Sequence, residues 1–211
     1  VGKGIIEGDG KTLRPLSSLI RAETAVILIN AVDSVNPSAN QGGMQPPSGN
    51  MLGGFGGSDT VTQGTSATTI TEDGTYSSTS YSSTGDDENA LRVDGATVTL
   101  DSVTVDKSAG SSSNTEDGDF YGQNAALLAT NGANVTIKNA TVNSSAQNGN
   151  GIFSYGTGTT VNVSDSTITT TADNSGGIQT TGGGTTNATN LTVNTSGNSA
   201  AAIRSDRGGG T

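Results

Sequence analysis

One pattern of about twenty-five residues is written four times between Asn89 and Thr211 and begun a fifth time. Its marks are Ala90-Leu91, Ala126-Leu127, Gly151-Ile152, Gly177-Ile178 and Ala202-Ile203. In the complete copies two short runs follow each mark. The first reads Val98-Thr-Leu100, Val135-Thr-Ile137, Val161-Asn-Val163 and Thr186-Asn-Ala188; the second reads Val103-Thr-Val105, Ala140-Thr-Val142, Ser166-Thr-Ile168 and Leu191-Thr-Val193. From Ile137 to Val163 is 26 positions and from Val163 to Ala188 is 25. A fixed period of this size, with strand-like runs and no helical pattern, is the signature of a solenoid in which each repeat is one coil stacked on the next. The expected fold is therefore all-β, a parallel β-helix. Apolar residues alternate within each run, which in a strand puts one side chain in and the next out. Val135, Ile137, Ala140 and Val142 are thus expected inside, with Thr136 and Thr141 facing solvent. Ser102, Asn139, Asp165 and Asn190 recur between the two runs, where short polar side chains suit a stacked turn.

The periodicity changes how composition is read. Only 30% of the 211 residues are hydrophobic and 3% aromatic, which is thin for a globule with a thick core. A solenoid buries one narrow stripe per coil and lets neighbouring coils supply the rest, so it needs less. The net charge of −10 makes nucleic acid a poor partner and argues against an anionic membrane surface. A cation or a neutral polymer suits the chain better. There is no Cys and no His, so there is no disulfide framework and neither the commonest general base nor the commonest zinc ligand. No apolar run is long enough to span a bilayer, and Val1 does not open a signal peptide. The composition fits an extracellular protein stabilised without disulfides. The chain is expected to be a fragment, truncated partway through a coil at 208–211.

Residues 1–35 differ in kind. Gly8-Asp-Gly10 is a turn signal, and Ala22, Ala25, Val26, Ile29 and Val32 fall on a helical period over Leu19–Val32. Gly4-Ile-Ile-Glu-Gly-Asp-Gly-Lys-Thr-Leu-Arg-Pro15, followed by Ile20-Arg-Ala-Glu23 and this helix, resembles the end of an S-layer homology repeat. The resemblance implies a short N-terminal helical segment from a cell-wall anchor, with Arg21 as the matching basic residue and cell-wall polysaccharide as the partner. On the residues alone, the same segment reads as an amphipathic helix that caps the solenoid. Residues 36–58, rich in Gly, Pro, Ser and Asn, read as a linker. The β-helix then occupies 59–211, opening irregularly as terminal coils do.

One coil is longer than the others by about eleven residues, an inserted loop from Ser108 to Gly122. Loops that interrupt a solenoid tend to mark its binding face. Glu116, Asp117 and Asp119 lie in it, and Asp86, Asp87 and Glu88 occupy the corresponding turn one coil earlier. If stacking brings these two acidic groups together, their carboxylates suit calcium; the bland reading is a solvated acidic loop. No other cofactor is expected.

Known polysaccharide lyases built on parallel β-helices place catalytic Arg or Lys on the outer face of the first strand. The residues expected there are Arg92, Leu128, Phe153, Gln179 and Arg204. Arg92 and Arg204 are four coils apart, roughly 19 Å at about 4.8 Å per coil, so they do not act on one bond together. No carboxylate pair falls at glycosidase separation. Leu128, Phe153 and Tyr155, with Phe120 and Tyr121 on the loop, form an aromatic patch on which sugar rings would stack, unless the loop folds over it. The outward Thr104, Thr141, Thr167 and Thr192 raise a third reading, an ice-binding surface, although Thr is favoured on any exposed sheet face.

The repeats, with the Gly-rich lead-in and the closing Arg204-Ser-Asp-Arg-Gly-Gly-Gly210, also resemble the right-handed parallel β-helix surface proteins of Gram-positive bacteria that are described as adhesin-like or carbohydrate-binding, and the resemblance implies that this β-helix is right-handed. The reading reached is a non-catalytic cell-surface stalk or adhesive module. Phe153, Tyr155, Phe120, Tyr121, Arg92 and Arg204 are its candidate ligand contacts, and a cell-wall, host or environmental glycan is its partner. A lyase acting on acidic polysaccharide is the alternative, and end-to-end self-association is a further expectation.

Overall fold

A computed structural model describes residues 61–211. The helix expected over Leu19–Val32, Arg21 and the linker 36–58 lie outside the described residues.

The described chain is a parallel β-solenoid built on three ladders. The first ladder comprises Thr69–Ile70, Leu91–Asp94, Leu127–Thr130, Ile152–Tyr155, Ile178–Thr181 and Ile203–Ser205. The second comprises Gly74–Ser77, Thr97–Asp101, Asn134–Lys138, Thr160–Ser164 and Thr185–Thr189. The third comprises Ser80–Ser83, Thr104–Lys107, Thr141–Ser144, Thr167–Thr170 and Thr192–Thr195. Each strand pairs in parallel with its equivalents one coil before and after, so the sequence period becomes the register: Leu100 lies beside Ile137, Ile137 beside Val163 and Val163 beside Ala188.

Turning three corners per coil needs tight backbone at each, and three columns of positive φ supply it. Ser102, Asn139, Asp165 and Asn190 have φ of 56°, 54°, 51° and 51°, as their position between the runs suggests. Side chains cross-link this column: Asn139 Nδ2 donates to Asp101 Oδ1 (3.1 Å) and Asn190 Nδ2 to Asp165 Oδ1 (2.6 Å). A second column, Asp87, Asn148, Asn174 and Ser199, turns the chain into the first ladder, and Gly95, Asn131, Gly156 and Gly182 turn it out. Asn and Asp tolerate the left-handed region better than most side chains, which is why they recur there.

The core is the stripe the alternation marks. Val135, Ile137 and Val142 are fully buried and Ala140 nearly so, while Thr136 and Thr141 are exposed. Burying each such aliphatic side chain is worth about 1.5–3 kcal/mol, and every coil repeats the gain with the next.

The inserted loop does not remain a loop. Residues Thr115–Tyr121 form a short α-helix, α1, the one helix among the described residues.

Candidate functional site

Helix α1 begins and ends by local rules. Asn114 is its N-cap, in extended backbone (φ −129°, ψ 117°), with Oδ1 accepting from Glu116 N at 2.9 Å. Glu116 and Asp117 in the first turn complement the positive end of the helix. Gly122 ends it at φ 80°, donating its backbone N–H to Asp117 O. A Cβ at Gly122 would meet Leu128 Cδ1 at 2.6 Å and Phe153 Cγ at 3.0 Å. Glycine is therefore required both for the turn and for the close approach of the helix to the first ladder.

Helices of this length leave their last carbonyls unpaired, and here the solenoid supplies the donors. Asn150 Nδ2 donates to Gly118 O (3.3 Å), Gln179 Nε2 to Asp119 O (3.1 Å) and Thr181 Oγ1 to Phe120 O (2.7 Å). Gln63 Nε2 donates to Tyr121 O and Asn89 Nδ2 to Gly122 O, both at 2.9 Å. Five consecutive carbonyls thus accept from side chains of four coils, Gln179 and Thr181 sharing a strand. Beneath the helix, Ala125, Leu128 and Phe153 form an apolar cluster of their own, with Tyr155 packed against it.

This arrangement corrects the expected outward column. Leu128 and Phe153 do point away from the main core, but both are fully buried under α1. Phe153 therefore presents no face to a ligand. Gln179, 1% exposed, has both ends of its amide used, since its Oε1 also accepts from Arg204 Nε at 3.0 Å. Arg92 is likewise committed. Its Nη2 donates to Gln63 O (2.6 Å), Gly64 O (3.1 Å), Thr65 O (3.1 Å) and Asn89 Oδ1 (2.7 Å). Burial pulls the Arg92 pKa down, with Asp94 opposing.

The rim of the helix stays accessible. Tyr121 meets Tyr155 edge-on, ring centroids 5.7 Å apart at 86°. Burial, then the neighbouring Tyr121, raises the Tyr155 pKa. Phe120 lies under two guanidinium groups, with Arg207 3.8 Å and Arg204 6.0 Å from its centroid. Arg207 Nη2 pairs with Glu116 Oε2 at 2.5 Å, and Arg204 Nε lies 3.5 Å from Asp206 Oδ2. Of the expected ligand contacts, Phe120, Tyr121, Tyr155 and Arg204 come together here, and Arg207 joins them.

Carboxylates of both acidic groups bond to the chain itself. Asp86 Oδ1 accepts from Ser111 N (2.8 Å) and Asp87 Oδ1 from Ser113 N (2.6 Å), so both hold the chain leading into α1. Glu88 Oε2 accepts from Ser83 Oγ at 2.5 Å. That hydroxyl also accepts from Nζ of Lys107 at 3.2 Å, and Nζ donates to Gly85 O as well. Lys107 is fully buried on the inward side of its strand. Burial lowers its pKa while Glu88, Asp86 and Asp87 oppose the shift. An ammonium of the chain itself thus stands beside the first acidic turn. On the helix, Glu116 turns to Arg207, and Asp119 Oδ1 accepts from Asn148 Nδ2 at 3.3 Å. Burial raises the Asp119 pKa, with Asn148 and Arg204 pulling it back. Among the described residues no three carboxylates converge on a common point.

On the third ladder Ser80, Thr104, Thr141, Thr167 and Thr192 stand in register, all exposed. The next outward column is Ser82, Asp106, Asn143, Thr169 and Asn194. Among the described residues, two cavities lie in the last coils, one of about 90 Å³ among Ile178, Ala188 and Ile203 and a more open one beside Leu191 and Val193. No protein-family model, curated protein or solved structure matches the chain.

Proposed function

We propose that this chain is a non-catalytic module of a bacterial cell-surface protein, a stalk or adhesive domain that contacts glycans through the rim formed by Phe120, Tyr121, Tyr155, Arg204 and Arg207. One observation carries the reading: the groups that a first-ladder active site would use are tied up in holding the solenoid together. Arg92 fastens the segment at 63–65, Gln179 and Thr181 fasten α1, and Arg204 is bonded to Gln179. General acid–base catalysis needs a group free to exchange a proton beside the substrate, and these are not free. The rim offers what sugar recognition uses, aromatic edges beside hydrogen-bond donors. The extracellular placement and the tether rest on the disulfide-free, Thr/Ser/Gly-rich composition and the S-layer-like motif around Arg21.

Binding of the full chain to purified Gram-positive cell-wall polysaccharide and to a panel of neutral glycans, followed by calorimetry, tests this reading. We expect weak binding that Tyr121→Ala combined with Tyr155→Ala reduces about threefold to tenfold, the value of one aromatic contact. Binding that ignores both substitutions, or none to any glycan, would remove the adhesive role.

A further inference from the structure

We propose that Lys107 Nζ and the side-chain carboxamide of Asn124 join in an isopeptide bond that closes the neck of the inserted loop. The proposal rests on the buried corner between the third and first ladders and not on the glycan-contact reading.

The register sets these two residues opposite each other. Lys107 lies beside Ser83 and Ser144 on the third ladder, and Ser144 lies beside Thr170. Asn124 stands three residues before Leu127, as Glu88, Gly149 and Ser175 stand three before Leu91, Ile152 and Ile178, its partners in register. The two columns meet across one corner in every coil around them. In the first described coil Ser83 Oγ donates to Glu88 Oε2 at 2.5 Å. In the third, a Cβ on Gly149 would meet Ser144 Oγ at 2.7 Å, and in the fourth Thr170 Oγ1 donates to Ser175 O. In the second coil the facing pair is Lys107 and Asn124, which flank the insertion Ser108–Gly122.

Both side chains are fully buried. Asn124 Nδ2 donates to Gln147 O at 2.9 Å, but Oδ1 is the one buried side-chain nitrogen or oxygen among the described residues with no hydrogen-bond partner. A buried acceptor left open is uncommon and calls for an explanation. This one is placed to take a donor as it gathers negative charge in an addition to Cγ.

The corner also supplies a proton route. Lys107 Nζ donates to Ser83 Oγ at 3.2 Å and to Gly85 O, and Ser83 Oγ donates onward to Glu88 Oε2. One proton passed along this line turns the ammonium into a neutral amine, which is the nucleophile. It also turns Glu88 into a carboxylic acid in the column that holds Asn124. Burial lowers the Lys107 pKa, with Glu88, Asp86 and Asp87 opposing, and so favours the same transfer. Nζ then adds to Cγ of Asn124 and the Cγ–Nδ2 bond breaks. Glu88 gives its proton to the leaving nitrogen and takes one back from Nζ, so Nδ2 departs as ammonia and no oxidant or reductant is consumed. The new bond ties residues on either side of α1, and the loop that carries the helix becomes a closed ring.

Intact-mass spectrometry of the purified full chain, followed by peptide mapping with tandem spectra, tests this. The expected chain is lighter than its sequence by one ammonia, and its map contains a branched peptide that joins Lys107 to Asn124. Lys107→Arg and Asn124→Ala should each show the full mass of their sequence. Glu88→Gln still offers Ser83 an oxygen but takes up no proton, and it should leave a fraction of the chains at full mass. Circular dichroism checks that each variant folds, and the mass of the unaltered chain decides the matter without them. An unaltered chain of full mass would overturn the proposal. So would an ammonia lost by ring closure at an Asn-Gly pair such as Asn131-Gly132, or the loss of a water, which would put the bond on Glu88.

Discussion

At the scale of single residues, burial alternates so sharply that neighbours on one strand should answer the same substitution differently. Ile137 is fully buried between Leu100 and Val163, and Thr141 stands in an exposed column. Ile137→Asp places a charge where neither water nor a partner reaches it and should cost more than about 4 kcal/mol. Thr141→Asp should stay within about 0.5 kcal/mol. Chemical denaturation of both variants checks this, and equal costs would mean that the inward and outward faces are wrongly assigned. Asp119 makes a second residue-scale case. Burial holds its folded pKa above the ordinary value, so the folded state binds this proton more tightly than the unfolded chain does. The group's contribution therefore falls as pH rises from the ordinary carboxylate pKa through its raised folded value, and the loss is complete above that value. Asp119→Asn keeps an oxygen for Asn148 and removes the charge from the C-terminal half of the helix. Its melting temperature should exceed that of the parent at pH 7, and the gap should shrink as pH drops to the ordinary carboxylate range. A gap that does not depend on pH would contradict the burial argument.

At the scale of elements, helix α1 is where sequence and structure part. Its signals were all present: Asn114 as N-cap, Glu116 and Asp117 in the first turn, Gly122 as the stop. They are hard to weigh inside a solenoid because the insertion breaks the register by which everything else is read, and a seven-residue helix does not stand alone in water. What stabilises it comes from far along the chain. Asn89 and Gly122 are 33 residues apart, Gln179 and Asp119 60, Thr181 and Phe120 61. No local pattern encodes such pairings, which is why Phe153 reads as an outward ligand contact and is instead the helix's floor. Gln179→Leu leaves Asp119 O and Arg204 without their partner, and Asn150→Ala does the same to Gly118 O. Each should cost about 1–3 kcal/mol and speed amide exchange in 115–122 more than in the strands around Ile137. Exchange that rises uniformly would show that the helix and the stack open as one unit.

At the scale of the whole molecule, the architecture was legible because one number, the period, sets the coil, the register and the core stripe together. The turn ladder at Ser102, Asn139, Asp165 and Asn190 could be read for the same reason. The use of the faces could not, since side chains such as Arg92 and Gln179 look available until their partners in other coils are placed. With those partners placed, the first ladder is roofed by α1 over Leu128, Phe153 and Gln179, which supports the proposal that the chain is a scaffold. Turnover tests that claim most directly: the full chain incubated with a panel of acidic and neutral polysaccharides, with and without calcium, and assayed for unsaturated products and new reducing ends. The account predicts neither from any of them; turnover that persists through purification and falls with Arg204→Ala would contradict it and make this chain an enzyme.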